Sequence, residues 1–393
     1  MSESFPLNYD SEFIHSPSFD LSKIIRPNIL SLEPYRCARD DYSEGVLLDA
    51  NENAYGPSLT TEHDGNLNRY PDPYQIQVKE RIMKMRGLKS TKNLFLGVGS
   101  DEVIDLLIRI ACVPAHDKIL ITPPTYGMYS VCAQINDVQV VKSFLNVKDG
   151  AYQLDLDNLF DTLKSNPETK IVFLCSPGNP TGTCLSHKSI RAVLDSEFKG
   201  LVVVDEAYVD FVDREEGSVA TWVDQYPNLV VMQTLSKSFG LAGIRVGIAV
   251  GHADVIQILN NTKAPYNIGT PSALLAAEAL SDDGLAKMFD FRKRLIAQRG
   301  VLIEKLPQID GTGCVLGGND SNFVLIEILD AKSKKPSNDR ALKVYSMMAK
   351  ELGVVVRFRG MEYGCDGCLR ITVGTEEENA TVLDILQKAL AAN

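Results

Sequence analysis

Short apolar runs without polar interruption recur between about residues 73 and 250, and segments with a helical pattern separate them. Three of these runs cover residues 171–175, 201–204 and 229–232. Runs of this length are typical of strands that are buried on both faces, as in a parallel sheet. Their alternation with helices predicts an α/β fold, with a large, mostly parallel sheet and helices on both faces.

The C-terminal part has a different pattern, which predicts a second, smaller α/β domain. Helices are expected around 252–262, 270–280, 285–306, 338–352 and 377–391, and strands at 323–326, 354–356 and 368–373. We divide the chain into an N-terminal arm (1–20), an N-terminal segment that contributes to the small domain and the functional site (21–72), a large domain (73–285) and a C-terminal small domain (286–393).

Composition excludes several classes of function. The 393 residues carry a formal net charge of −11, which disfavours nucleic acid or an anionic membrane as a partner. No apolar run reaches the length of a membrane span, and the first twenty residues contain no Lys or Arg, unlike a targeting segment. We therefore expect a cytoplasmic protein. Cys365 and Cys368 form a C-x-x-C, but no second pair stands at zinc spacing, so a metal site is not expected.

A lysine follows the third apolar run. Lys237 stands next to Ser236, and Arg245 lies a few residues beyond. A lysine held at a strand end can form an imine with an aldehyde cofactor, while a hydroxyl and a guanidinium hold that cofactor's phosphate. The cofactor that fits is pyridoxal 5'-phosphate (PLP). Taken alone, Lys237 could equally be a surface lysine.

The two preceding runs also end in polar groups. Asp205 follows the run 201–204, and its carboxylate can hold a protonated pyridine nitrogen. Tyr208 and Asn179, the latter in the turn after 171–175, can donate to the ring's phenolate oxygen. Asp205 could instead cap a helix, and Asn179 could be an ordinary turn residue. The order amide, acid, lysine at three strand ends makes coincidence improbable.

A fourth strand end offers a site for the phosphate. Residues 94–98 predict a strand, and Gly99, Ser100 and Asp101 then open an amphipathic helix. Ser100 is predicted to be the N-cap, and backbone N–H groups at such a helix start bind phosphate. The glycines do not form a dinucleotide fingerprint, because the third one is missing.

These strand ends resemble the aspartate-aminotransferase-like PLP enzymes of fold type I. A closer resemblance, over about residues 26–386, is to the histidinol-phosphate aminotransferases. It is carried by the segments 34–39, 49–53, 68–71, 123–129 and 367–375.

The resemblance implies further roles around the cofactor. Tyr126 would stack on the cofactor ring. Tyr70 would reach the cofactor phosphate of a partner subunit, so that the active unit would be a homodimer. Asn51 would lie beside the pocket.

The resemblance also assigns the substrate's phosphate to Tyr35, Arg357 and Arg370. Arg370 lies within an apolar strand, where a buried guanidinium needs an anionic partner. The alternative is that these arginines pair with carboxylates of the fold, which is what we expect of Arg359.

The implied reaction is transfer of an amino group from L-histidinol phosphate to 2-oxoglutarate, giving imidazole acetol phosphate and glutamate in histidine biosynthesis. Lys237 would carry the proton from the substrate's α-carbon. The alternatives are a PLP-dependent decarboxylase of an amino-acid phosphate and a broader aromatic aminotransferase. A non-catalytic PLP-dependent regulator would need a basic DNA-binding module, and the acidic chain offers none.

Overall fold

The fold is described from a computed structural model, which covers residues 20–42, 44–61, 65–214 and 217–393. Its α-helices are α1 (Leu21–Ile24), α2 (Pro27–Leu30), α3 (Ile76–Arg86), α4 (Gly99–Ala111), α5 (Met128–Ile135), α6 (Leu156–Ser165), α7 (His187–Leu194), α8 (Ala253–Thr262), α9 (Thr270–Ala279), α10 (Asp282–Lys305), α11 (Asn338–Lys350) and α12 (Glu376–Ala392). Its strands are β1 (Leu94–Val98), β2 (Lys118–Ile121), β3 (Gln139–Lys142), β4 (Thr169–Cys175), β5 (Leu201–Asp205), β6 (Leu229–Thr234), β7 (Val246–Gly251), β8 (Thr312–Leu316), β9 (Phe323–Ile328), β10 (Arg357–Phe358) and β11 (Cys368–Thr372).

Seven strands form the large sheet, in the order β1-β7-β6-β5-β4-β2-β3. All of its neighbouring pairs are parallel except the two that involve β7, which runs antiparallel to both β1 and β6. The mostly parallel sheet predicted from the apolar runs is therefore confirmed.

Side chains of the central strands alternate between two cores, one on each face of this sheet. Val172 and Leu174 of β4 enter a core that helices α3, α7 and α9 cover. Ile171 and Phe173 enter the opposite core, against α4, α5 and α8. Both faces of the sheet are therefore shielded from water, which explains why polar and apolar residues do not alternate along these strands.

A second sheet of four antiparallel strands, in the order β10-β11-β9-β8, forms the C-terminal part. The second half of α10, together with α11 and α12, covers it with an apolar core that includes Leu302, Val344 and Leu386. The predicted strand at 354–356 is wrong, because β10 comprises only Arg357 and Phe358. Gly353, at φ +73°, makes a left-handed turn shortly after α11, and Val354 and Val356 then approach the core from a loop.

Strand β8 was not predicted at all, since its residues carry no continuous apolar run. In the described part of the chain, no helix combines the length and the apolar character that crossing a bilayer requires.

A buried charge network joins α3 to the loop that follows β6. Arg86 lies 2.8 Å from the carboxylate of Asp210, and both side chains are less than 15% exposed. The same carboxylate accepts a 2.5 Å hydrogen bond from the hydroxyl of Ser238. Burial alone would raise the pKa of Asp210, but Arg86 and Ser238 lower it overall. The network fixes the residue that follows Lys237.

We expect Asp210→Ala to destabilise the protein strongly, because it leaves the Arg86 guanidinium buried without a counter-charge. Breaking such a buried pair costs about 3–5 kcal/mol. The matched control is Asp384→Ala, which breaks an exposed ion pair with Lys388 on α12 and should cost no more than ~1 kcal/mol. Thermal unfolding should show a fall of several degrees for Asp210→Ala alone, and equal shifts for the two variants would contradict the role of the network.

Candidate active site

The three predicted strand ends meet at one edge of the large sheet. Strands β4, β5 and β6 are parallel neighbours, and Asp205 is aligned with Cys175 on one side and with Met232 on the other. Their carboxyl ends therefore lie side by side, and the loops after them carry Asn179, Asp205 and Lys237. This edge is where open α/β sheets place their ligands.

Asp205 is almost completely removed from water, with 3% of its surface exposed. One carboxylate oxygen accepts a 2.6 Å hydrogen bond from the hydroxyl of Tyr129, and the other accepts the backbone N–H of Ala207 at 3.1 Å. Burial raises the pKa of Asp205, and the hydrogen bond from Tyr129 opposes that rise. Among the described residues no Lys or Arg lies within 4 Å of this carboxylate.

Sequence reasoning gave Tyr129 no role. Its ring is fully buried and stacks on Phe173 at a centroid distance of 4.7 Å, with 12° between the planes. Tyr126, three residues earlier and before α5 begins, meets the Tyr129 ring edge-on at 5.7 Å. The only signal in the sequence was that Tyr129 belongs to the same segment, 123–129, as Tyr126.

Lys237 lies partly buried beside Tyr208, with its amine 5.6 Å from the centre of that ring. Burial lowers the pKa of Lys237, and the positive charges of Arg370 and Arg245 lower it further. Both effects favour the neutral amine over the charged one, and the neutral amine is the form that acts as a nucleophile or a base.

The start of α4 differs from the predicted cap. Val98, and not Ser100, is the N-cap, and no side chain caps the helix. The backbone N–H of Gly99 donates to the carbonyl of Arg245 at 2.8 Å. The first-turn N–H groups of Ser100 and Asp101 therefore have no side-chain acceptor, and they remain available to an anion.

Close backbone packing shapes this end of the site. A Cβ at position 247 would lie 2.2 Å from the carbonyl carbon of Gly99, and a Cβ at position 99 would lie 2.5 Å from a guanidinium nitrogen of Arg245. Position 247 therefore requires glycine because the clash is with backbone, and position 99 favours glycine because its φ is +72°. Asp101 pairs with Arg245 at 3.2 Å through one oxygen and accepts the Tyr126 hydroxyl at 3.2 Å through the other.

Ser236 stands at the start of the loop between β6 and β7. Its hydroxyl lies 2.9 Å from that of Thr234, and its backbone N–H donates to the same Thr234 oxygen. Because Leu235 pairs with Val246 across the two strands, Ser236 and Arg245 stand at the same end of the hairpin. The predicted phosphate residues on this hairpin and on α4 are thus brought together.

The small sheet brings Arg370 to the same region. Its guanidinium donates a 2.5 Å hydrogen bond to the side-chain oxygen of Asn179 and lies 5.1 Å from the ring centre of Phe323. The Nε atom of Arg370 is buried without a hydrogen-bond partner. Tyr208 packs edge-on against the same Phe323 at 5.2 Å. Residues of both sheets therefore line one site.

Arg357 is paired directly with Arg370 across antiparallel strands β10 and β11, so their side chains share one face. No carboxylate of the described residues lies within 4 Å of either guanidinium. Arg359 differs, because it forms a 2.7 Å ion pair with Glu362, as expected.

Tyr35, Asn51 and Tyr70 are not brought to Lys237 within one chain. Tyr70 stacks on Tyr266 at 4.7 Å, and Tyr35 meets the same ring edge-on at 6.4 Å. Among the described residues, no hydrogen bond or ring contact joins any of the three to Lys237, Asp205 or Arg370.

A central acid organises the segment that carries these residues. Glu52 accepts ion-paired hydrogen bonds from Arg39 and Arg69, and the backbone N–H of Tyr70 donates to it as well. The hydrogen bond from Arg39 is the largest of the effects that lower the pKa of Glu52 to about 2.

Two other features lie outside this site. A cavity of about 1100 Å³ is lined by residues such as Thr169 and Gly200, at the amino ends of β4 and β5. None of the polar residues at the carboxyl ends of the strands lines this cavity, so we do not assign the functional site to it despite its volume.

Cys365 and Cys368 are both fully buried, and burial raises the pKa of both thiols, so they are unreactive core groups. No group of three metal-ligating side chains occurs in the described residues.

Comparison with known proteins places this geometry in a family. Residues 43–386 match the family model of aminotransferase class I and II. The histidinol-phosphate aminotransferase of Schizosaccharomyces pombe is 51% identical over 382 residues, which is 95% of this chain and 98% of that protein. The enzyme of the same name from Saccharomyces cerevisiae is 49% identical over 385 residues, with the same coverage. The chain belongs to the histidinol-phosphate aminotransferase family.

A solved structure of this family has the same fold. The histidinol-phosphate aminotransferase of Sinorhizobium meliloti, solved in complex with pyridoxal-5'-phosphate, superposes with a TM-score of 0.75 at 20% identity, over 87% of this chain and 90% of that one. The expectation of a PLP-type α/β fold with a large and a small sheet is thereby confirmed.

We expect Lys237→Ala to abolish covalent attachment of PLP and nearly all turnover, because the substitution removes the amine at the strand end. The matched control is Lys118→Ala, at the opposite end of the sheet, where a partly buried lysine pairs with Glu168. Mass spectrometry after incubation with PLP and borohydride should show the label on Lys237 in the wild type and in the control. Full labelling of Lys237→Ala would mean that another lysine carries the cofactor.

Proposed function

We propose that the protein uses PLP to transfer the amino group of L-histidinol phosphate to 2-oxoglutarate, giving imidazole acetol phosphate and glutamate in histidine biosynthesis. The proposal rests above all on one observation. A buried carboxylate, a lysine amine and an uncapped helix start converge at one sheet edge, in a chain that is 51% identical to a histidinol-phosphate aminotransferase.

The residues at this edge fit PLP. Asp205 is a buried carboxylate with no Lys or Arg of the described residues within 4 Å, and a protonated pyridine nitrogen would supply a positive charge in direct contact. The glycines at 99 and 247 keep the backbone open beside Arg245, where a phosphate can approach the free N–H groups of α4. The Oγ1 atom of Thr125, adjacent to Tyr126, is buried and has no hydrogen-bond partner, so it too can accept or donate to a ligand.

Each residue then has a separate role in holding the cofactor. Ser236, Arg245 and the N–H groups of Ser100 and Asp101 bind the phosphate, while Tyr126 covers one face of the ring. The side-chain oxygen of Asn179 accepts a hydrogen bond from Arg370. The amide N–H groups of Asn179 and the hydroxyl of Tyr208 can therefore donate to the ring oxygen.

When bound, PLP withdraws the negative charge that develops on the substrate's α-carbon. Lys237 is the base that takes the proton from that carbon. Burial and the nearby arginines favour its neutral form, as this step requires. Asp205 balances the charge of the ring nitrogen throughout, because it is held in place by Tyr129 and Ala207.

Arg357 and Arg370 bind the anionic end of the substrate. Two like charges that are directly opposite on paired strands repel each other unless an anion lies between them. A phosphate or a carboxylate can accept hydrogen bonds from both guanidiniums, so the same pair serves L-histidinol phosphate and then 2-oxoglutarate. Arg359 is already neutralised by Glu362 and is not part of this pair.

The active unit in this proposal is a homodimer. The N-terminal segment exposes many large apolar side chains, including Tyr35 at 68%, Val46 at 87% and Tyr70 at 52%. Exposed apolar surface of this extent is typical of a protein interface. Tyr35, Asn51 and Tyr70 would then complete the partner's site.

A cytoplasmic location is also part of the proposal, and it is supported by the eight cysteines, all of which are free thiols.

We expect Arg357→Ala to lower kcat/KM for histidinol phosphate about ten- to a hundredfold, since it removes charge-assisted hydrogen bonds worth about 1.5–3 kcal/mol. Histidinol lacks the phosphate, so its slow turnover should hardly change. Arg294→Ala, on an exposed position of α10, is the matched control and should leave both substrates unaffected. Steady-state kinetics measure both, and an equal loss for the two substrates would return Arg357 to a structural role.

We expect Tyr70 to act across the dimer interface. Mixing inactive Lys237→Ala with Tyr70→Phe should restore activity in hybrid dimers, because one of their two sites has both intact residues. Random exchange of equal amounts predicts a gain of about a quarter of wild-type activity. Phe keeps the ring that stacks on Tyr266, so the segment is preserved. If subunits exchange and no gain appears, Tyr70 acts within its own chain or not at all.

A further inference from the structure

The hydrogen bond between Tyr129 and Asp205 is the shortest link between the carboxylate and the rest of the fold. The donor and acceptor oxygens are 2.6 Å apart, and both side chains are buried, with Tyr129 at 0% and Asp205 at 3% exposure. The ring of Tyr129 cannot swing away easily, because Phe173 covers one face at 4.7 Å and Tyr126 contacts its edge. The hydroxyl is therefore fixed against one carboxylate oxygen.

We propose that Tyr129 is a positioning residue for the cofactor, whose hydroxyl keeps the Asp205 carboxylate ionised and in place to hold the ring nitrogen of PLP. This inference rests on the proposed function, in which Asp205 binds that nitrogen. In this arrangement the strength of the PLP–Asp205 contact depends on Tyr129, a residue that bonds to the carboxylate and need not touch the cofactor.

The charges around Asp205 make this hydrogen bond important. The negative charge of Asp101 on α4 adds to burial in raising the pKa of Asp205, and the amine of Lys237 is the positive group that opposes it. Tyr129 is thus the principal group that stabilises the ionised form of Asp205, with the N–H of Ala207 as the second. Without the hydroxyl, the carboxylate gains a proton at a higher pH, and a protonated Asp205 cannot balance a positively charged ring.

The arrangement also joins the two ends of the cofactor site. Asp101 pairs with Arg245 and accepts a hydrogen bond from the hydroxyl of Tyr126. The ring of Tyr126 contacts that of Tyr129, and the hydroxyl of Tyr129 donates to Asp205. The groups proposed for the phosphate, the ring face and the ring nitrogen are therefore in one continuous set of contacts.

Tyr129→Phe tests the proposal, because it removes one oxygen and keeps the ring that stacks on Phe173. We expect the dissociation constant of PLP, measured by equilibrium dialysis, to rise on the order of ten- to a hundredfold. The loss should be larger at pH 6 than at pH 8.5. Burial raises the pKa of Asp205, and loss of the Tyr129 hydroxyl raises it further, so the variant carboxylate loses its charge at a higher pH than the wild type does. A role in packing alone would not produce this pH dependence.

Tyr152→Phe is the matched control. Tyr152 is also fully buried, and its hydroxyl donates a hydrogen bond to the carbonyl of Gly364, away from Asp205. This variant should bind PLP like the wild type at both pH values. In an Asp205→Asn background, Tyr129→Phe should have no further effect on PLP affinity, because the two changes act through one interaction.

Several results would overturn the inference: an unchanged or tighter PLP affinity in Tyr129→Phe, an equal loss in Tyr152→Phe, or additive effects with Asp205→Asn. If Tyr129→Phe does not fold, 3-fluorotyrosine at position 129 supplies a stronger donor of nearly the same size, which should tighten PLP binding at pH 6; no change would count against the proposal. An Asp205→Asn variant with wild-type PLP affinity would also overturn the inference, whereas failure of the wild type to bind PLP would instead refute the proposed function itself.

Discussion

Asp205 imposes the strictest condition on this molecule, because a carboxylate with 3% of its surface exposed must be compensated by donors or by a positive charge. The fold supplies two donors, Tyr129 from α5 and the N–H of Ala207, and places the amine of Lys237 on the neighbouring strand end. In the proposed function, the positive ring nitrogen of the cofactor would supply the remaining compensation. Since one donor comes from α5 and the other from the turn directly after β5, the environment of Asp205 depends on several elements and not on a single loop.

The two sheets meet through hydrogen bonds as well as apolar contacts. Arg370 of β11 donates to Asn179, which follows β4, and Phe323 of β9 packs against Tyr208. The same arginine lowers the pKa of Lys237. An anion bound to Arg370 would therefore weaken that effect, so in the proposed function substrate binding would be coupled to the protonation of Lys237.

Much of this could be predicted from the sequence, because parallel strands bring their carboxyl ends together and the residues after β4, β5 and β6 carry an amide, an acid and a lysine. Other features depend on packing that a single sequence does not display. Ser100 looked like an N-cap, but the backbone of Gly99 bonds to Arg245 and moves the cap to Val98. The hydrogen bond from Tyr129 to Asp205 joins residues 76 positions apart, which no local pattern reveals. Strands β8 and β10 are too short or too polar to be recognised by their periodicity.

The central claim is that this site selects an amine with a phosphate and retains its carbon skeleton. The most direct measurement is kcat/KM for a panel of amino donors with 2-oxoglutarate as acceptor, following glutamate formation and carbon dioxide release together. The donors are L-histidinol phosphate, histidinol, phenylalanine and O-phospho-L-threonine. We expect histidinol phosphate to be the preferred donor, with glutamate as product and no carbon dioxide. Release of carbon dioxide from the phosphorylated amino acid, or a preference for phenylalanine, would contradict the account.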